Sequence, residues 1–227
     1  MPSPHWIHSA ATRWACTGVA LAAAACAPFS PKPAKTSEAP PVAAACPPAL
    51  AALASCLAGQ DSAGAYYLIA MPHQWNGHLV LHAHGGPALG APRPERSAAD
   101  LERWAIMVKA GYAWAGSTFR QGGVEVRAAA EDTERLRQIF LGHVAQPRRT
   151  ILHGQSWGAS VAARGAEMFT STTQGQRPYD AVLLTSGVLA GGSRSYDFRT
   201  DLRVVYQYLC NNHPRPTEVQ YPLNIGL

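Results

Sequence analysis

The stretch Thr150-Ile151-Leu152-His153-Gly154-Gln155-Ser156-Trp157-Gly158-Ala159 constrains the fold more than any other part of the chain. An apolar strand candidate (Ile151, Leu152) runs into Gly-x-Ser-x-Gly, and a helical run of small residues follows (Ala159, Ser160, Val161, Ala162, Ala163). The order is strand, sharp turn, helix. A serine at such a turn sits on strained backbone, and its strand and helix can approach only if the flanking residues lack side chains. Gly154 and Gly158 meet that need. A helix starting just after the serine aims free N–H groups and a positive dipole end at the space beside it. Ser156 is the candidate nucleophile, with the Trp157 N–H as the nearest donor; the competing reading is a glycine-rich turn carrying a solvent serine.

The preceding chain supplies a sheet for this turn. Tyr66–Met71 and His78–Ala83 are aromatic and aliphatic runs separated by Pro72 and the turn pair Asn76-Gly77, which predicts an antiparallel pair. The second run leads into His84-Gly85-Gly86-Pro87, where adjacent glycines let backbone N–H groups turn toward a ligand. The alternative there is a plain strand-ending turn. Residues 98–110 carry Leu101, Trp104, Ala105 and Val108 at helical spacing, stopped by Gly111. A strand at Tyr112–Ser117 and a polar loop follow, then an amphipathic helix at Arg127–Val144 with Glu131 and Arg135 as an i,i+4 pair. Beyond the turn, residues 171–177 form a loop before a short strand at 179–187. Alternating strands and helices predict an α/β protein: a three-layer sandwich with a mostly parallel sheet covered on both faces.

The N-terminus has basic residues and no acid, then an apolar run from Trp14 to Ala25, and reads as a secretory signal over 1–26. Leu21-Ala22-Ala23-Ala24-Ala25-Cys26 resembles a bacterial lipoprotein processing site, which would place a lipid and a membrane attachment on Cys26; ordinary cleavage after an alanine is the runner-up. Residues 27–45, rich in Pro and Ala, are expected to act as a stiff linker. The expected location is outside the cytoplasm, periplasmic, membrane-anchored or secreted. Cys46 and Cys56 bracket a short helical turn that a local disulfide could staple, and Cys210 then has no partner. The charge of +5 is spread along the sequence without a basic run interleaved with aromatics, which argues against nucleic-acid binding. His82 and His84 alternate on one strand face. No third ligand completes a zinc set, so neither a metal nor a cofactor is expected.

The elbow Gly154-Gln155-Ser156-Trp157-Gly158, the upstream His84-Gly85-Gly86-Pro87 and the strand order together resemble the α/β-hydrolase superfamily over about residues 66–187. The resemblance implies that Ser156 attacks an ester or amide carbonyl and that an acyl-enzyme forms on it. It also implies an oxyanion hole from the Trp157 N–H and an N–H of Gly85 or Gly86, and a proton shuttle from a histidine backed by an acid. In the family the acid and histidine follow the serine on loops after two later strands. His213 is the one histidine after Ser156 and the candidate base, with Asp197 or Asp201 as nominal acids, although His213 lies in a proline-rich run. Asp180 precedes its strand, at the far end of the sheet, and receives no catalytic role. Residues from about 193 resemble the start of a cap insert. The expectation is a hydrolase core over 46–227 whose last strands are missing.

These features predict an exported serine hydrolase of small carboxylic esters, impaired if the missing part holds its acid and base. Peptides or amides are the second substrate class. A non-catalytic exported binding protein on the same scaffold is the alternative from another class, and a truncated reading frame that folds poorly is a third.

Overall fold

A computed structural model describes residues 36–86, 89–122, 125–171 and 175–211. The signal segment with Cys26, the first part of the linker (27–35) and His213 lie outside the described residues. Seven strands make one sheet: β1 Val42–Ala44, β2 Ala54–Gln60, β3 Tyr66–Pro72, β4 His78–Ala83, β5 Ala113–Ser117, β6 Arg149–Gln155 and β7 Ala181–Thr185, in spatial order β1-β2-β3-β5-β4-β6-β7. The α/β class holds, with the parallel pairing confined to β5-β4-β6-β7, while β1, β2 and β3 add an antiparallel half.

The two faces of the sheet follow from alternation along each strand. Leu79 and Leu81 of β4, Ala113 and Ala115 of β5 and Leu152 of β6 point to one side, where they pack on helices α3 (Val126–His143) and α4 (Trp157–Met168) through Leu136, Ile139, Phe140 and Ala162. Val80 and Trp114 point to the other side, against Leu101 of α1 (Glu95–Arg103) and Val108 of α2 (Ala105–Lys109). Helices on both faces give the predicted three layers.

Five features differ from the sequence reading. First, β3 and β4 are not paired. The Asn76-Gly77 turn is present, with Gly77 at φ +85° and the His78 N–H donating to Asn76 Oδ1 at 2.9 Å. However, β3 finds a partner on each edge, β2 and β5, and none is left for β4. Strand β2, starting where a helical turn was expected to continue, is what the sequence reading lacked; the turn itself shrinks to a 3-10 turn at Pro48–Leu50.

Second, the linker expected over 27–45 ends early. Val42–Ala44 pairs with β2 as β1, and Cys46 and Cys56 form a disulfide beside that pairing. Pro40 and Pro41 have φ fixed by their rings, and Pro40 also precedes a proline, so the chain enters the sheet edge already extended.

Third, the helix expected over 98–110 breaks at Trp104 (φ −106°, ψ 19°), whose indole turns inward onto His82 and His153 at centroid distances of 5.8 and 4.5 Å.

Fourth, Glu131 and Arg135 do not pair with each other. The fully buried Asp132 takes both nearby cations: Arg120, and Arg135 through Nη1 at 2.7 Å, which also meets Asp61 at 3.1 Å. A buried carboxylate without such partners is strongly unfavourable, and this outweighs a surface i,i+4 contact.

Fifth, the helix expected near 203–209 starts much earlier, as α5 Gly191–Cys210, and covers the region assigned to a cap. None of its residues is buried, and Cys210 is an exposed free thiol. β7 is the edge strand of the sheet, with Val182 and Leu183 41% and 48% exposed.

Candidate active site

Ser156 stands between the last residue of β6 and the first of α4 at φ 56°, ψ −120°. That backbone region suits glycine and is strained for serine. Three contacts hold it. The Ser156 N–H donates to the Thr185 carbonyl at the end of β7 (2.9 Å), and the Ser156 carbonyl accepts from the N–H groups of Ala159 (3.1 Å) and Val188 (3.4 Å).

The flanking glycines are forced by the close approach the turn requires. A Cβ on Gly154 would fall onto the Gly158 carbonyl and 2.7 Å from the Ala159 Cα; one on Gly158 would fall onto the Ala83 carbonyl and 2.5 Å from that of His84. The second clash also shows how the elbow meets the end of β4. Beyond Ala83 the chain passes through His84, Gly85 and Gly86 against the serine: a Cβ on Gly85 would lie 2.7 Å from the Gln155 carbonyl oxygen and 3.3 Å from Ser156 Cβ. Gly86 follows at φ +71°. The Trp157 N–H, first in α4, has no carbonyl one turn behind it to bond. Ser156, Trp157 and the Gly85-Gly86 loop are thus brought together. Two hollows border Trp157, one of about 10 Å³ with His84, Gly86 and Phe119, room for a single water, the other of about 250 Å³ with Ser160, Arg164, Val188 and Leu189.

Three histidines cluster near this place, each committed elsewhere. His84 lies flat on Phe119 at a centroid distance of 4.3 Å, with Nε2 3.4 Å from the Thr118 carbonyl. His82 and His153 face each other through Nδ1 at 2.9 Å, with His82 stacked on Trp114. Burial pushes all three down, His84 and His153 to about 4 and His82 well below the usual imidazole range, with nearby positive charge from Arg96 adding to the effect on His84. They are neutral at pH 7. Among the described residues no histidine or carboxylate bonds the Ser156 hydroxyl, and none of the groups of His, Cys, Asp and Glu could hold a metal ion. Asp180 lies at the opposite end of β6, accepting from the Thr150 N–H at 2.8 Å and pairing with Arg149.

Sequence reading missed several residues that shape the site. Phe119, at φ +61°, closes the end of β5 under His84; Thr185 receives the Ser156 N–H; Arg96 reaches the glycine loop from α1. None belongs to a recognisable motif. A polar Thr-Phe-Arg loop after β5 and an arginine within a Pro- and Arg-rich segment were the only local signals.

No protein-family model and no curated protein matches the chain. Among solved structures it is similar to an esterase from the bacterial hormone-sensitive lipase family, with 19% identity over 72% of this chain and 58% of that one, at a TM-score of 0.47. It is also similar to an inhibited esterase B from Lactobacillus rhamnosis (17% identity, 65% and 52% covered, TM-score 0.46) and to a Pyrobaculum calidifontis esterase (18%, 57% and 43%, TM-score 0.42). The chain spans about half the length of these structures.

Proposed function

We propose that this chain, whose sheet order, serine elbow and glycine loop are those of the α/β-hydrolase fold, is a serine hydrolase acting on small carboxylic esters. The observation that carries the reading is the strained backbone of Ser156 with Gly85 packed against its Cβ. Strain at a polar residue persists only where surrounding structure enforces it, and in this reading it serves to present the hydroxyl beside backbone N–H groups.

In this reading Ser156 Oγ bonds the carbonyl carbon and gives its proton to a base. The carbonyl oxygen becomes an oxyanion held by the Trp157 N–H and an N–H of Gly85 or Gly86. The alcohol leaves with the proton returned by the base, and water then attacks the acyl-enzyme to release the acid and restore the serine. A departing alkoxide needs less help from a proton donor than a departing amine, so esters precede amides. His213 is the proposed base. The chain is proposed to act outside the cytoplasm, with Cys26 as a lipid attachment point; the Cys46–Cys56 disulfide supports an oxidising compartment.

A second reading, a ligand-binding protein without turnover, is favoured by the engagement of His84 and His153 away from the serine. Labelling of the purified chain by a fluorophosphonate probe, compared with Ser156→Ala, separates the two. Label lost in the variant supports the hydrolase; a folded chain that takes no label supports the binding protein.

A further inference from the structure

The two adjacent glycines that let the loop reach Ser156 also leave its peptide units free to rotate, because glycine accepts backbone conformations of either hand. An oxyanion hole works only if its donors are already aimed, so something must fix the peptide between Gly85 and Gly86. Arg96, near the start of α1, is placed to do so. Its Nη2 donates to the Gly85 carbonyl oxygen at 2.6 Å, and the same nitrogen lies 3.4 Å from His84 Nδ1.

His84 is neutral and has one N–H. Nε2 lies 3.4 Å from the Thr118 carbonyl, and Nδ1 lies 3.4 Å from the Arg96 guanidinium, which can only donate, and 3.3 Å from the Gly85 carbonyl, an acceptor. With the proton on Nε2, Nδ1 accepts from Arg96; with the proton on Nδ1, the ring donates to the Gly85 carbonyl beside Arg96. Stacked on Phe119, His84 forms a rigid rest for the guanidinium. Asp100, one helical turn on, lies 3.7 Å from Arg96 Nε and holds the charged head from the other side.

The peptide group is planar and trans, so the Gly86 N–H points opposite to the Gly85 carbonyl. Fixing the one aims the other. A cation on the carbonyl also polarises the peptide and makes its N–H a stronger donor. We propose that Arg96 is a positioning residue of the oxyanion hole: it locks the Gly85 carbonyl so that the Gly86 N–H meets the oxygen that becomes negative. This rests on the serine hydrolase reading and names the residue that prepares its site.

The test is hydrolysis of p-nitrophenyl butyrate by the full chain, its Arg96→Ala and Arg96→Lys variants and Ser156→Ala, each checked for a cooperative thermal transition. In Arg96→Ala, kcat is expected to fall roughly 10- to 100-fold with KM changed less than about two-fold, since the hole acts on the transition state. Added methylguanidinium restores part of the lost kcat. Arg96→Lys, which keeps a cation and most of the packing, falls between the two and carries the test if the alanine variant does not fold. An unchanged kcat in a folded Arg96 variant, or a loss confined to KM, overturns the inference and leaves the hydrolase reading standing. A folded parent chain with no hydrolysis beyond that of Ser156→Ala overturns both.

Discussion

His82 of β4 and His153 of the neighbouring strand β6 meet Nδ1 to Nδ1 at 2.9 Å, and neither ring reaches solvent. One nitrogen must carry a proton and the other must not, so the bond is lost once both rings are protonated. A proton added to either one places a charge in an apolar pocket walled by Trp104 and Trp114.

Stability should therefore fall on acidification. The folded-state pKa of each of the three buried histidines lies below the unfolded value, so between about pH 6.5 and 4 the unfolded chain binds more protons and stability drops as pH falls. Within that window each contributes a slope on the order of 1.4 kcal/mol per pH unit. Asp100, raised by burial to about 6, acts in the opposite sense, losing stability as pH rises through that value, but it is one group against three. Thermal unfolding across this range checks the sign, and the double variant His82→Leu with His153→Leu should flatten the profile.

Replacing Ser156 separates strain from chemistry. Glycine accepts φ 56°, ψ −120° without penalty and alanine does not. Ser156→Gly is expected to be about 1 kcal/mol more stable than Ser156→Ala in urea unfolding. Equal stability would mean that the elbow relaxes on losing its hydroxyl.

Glycines of the chain should respond very differently to a methyl group. Gly158→Ala drives a Cβ into the carbonyls of Ala83 and His84 and should destabilise by about 3 kcal/mol or more. Gly192→Ala, in the first turn of α5 with nothing within 4 Å of the new atom, should be neutral or gain about 0.5 kcal/mol. Chemical unfolding of the two variants measures the contrast.

The buried ion pair on α3 gives a fourth expectation. Glu134 receives two guanidinium bonds from Arg137 (2.7 and 2.9 Å) and the Tyr179 hydroxyl at 2.6 Å. Glu134→Gln leaves a buried arginine without its counter-charge and should lose about 3–5 kcal/mol, whereas Tyr179→Phe should lose only about 1–2 kcal/mol. The same unfolding measurement ranks them.

Most of the elbow could be read from the sequence because its requirements are local: a serine on strained backbone, bare neighbours on both sides, and a strand and helix in order. The glycine loop was legible for the same reason. Arg96 was not, because its role depends on where α1 lies against the loop, and nothing in the spacing between residues 85 and 96 encodes that. The pairing of β3 failed in the same way. Asn76-Gly77 signalled a turn correctly, but whether the strands on either side remain neighbours depends on β5, which arrives some thirty-five residues later. Arg135 chose Asp132 over Glu131 because burial, invisible in the helix pattern, set the demand for charge.

A helix of twenty residues without a buried side chain draws its order from its own hydrogen bonds and a few local contacts, since most helical stability in proteins comes from packing. The backbone amides of α5 should then exchange with deuterium through local opening, on a timescale unrelated to unfolding of the sheet. Those of β4, β5 and β6, sealed between two helical layers, wait for the whole core to open. The protein thus carries two clocks, and the serine sits on the slow one.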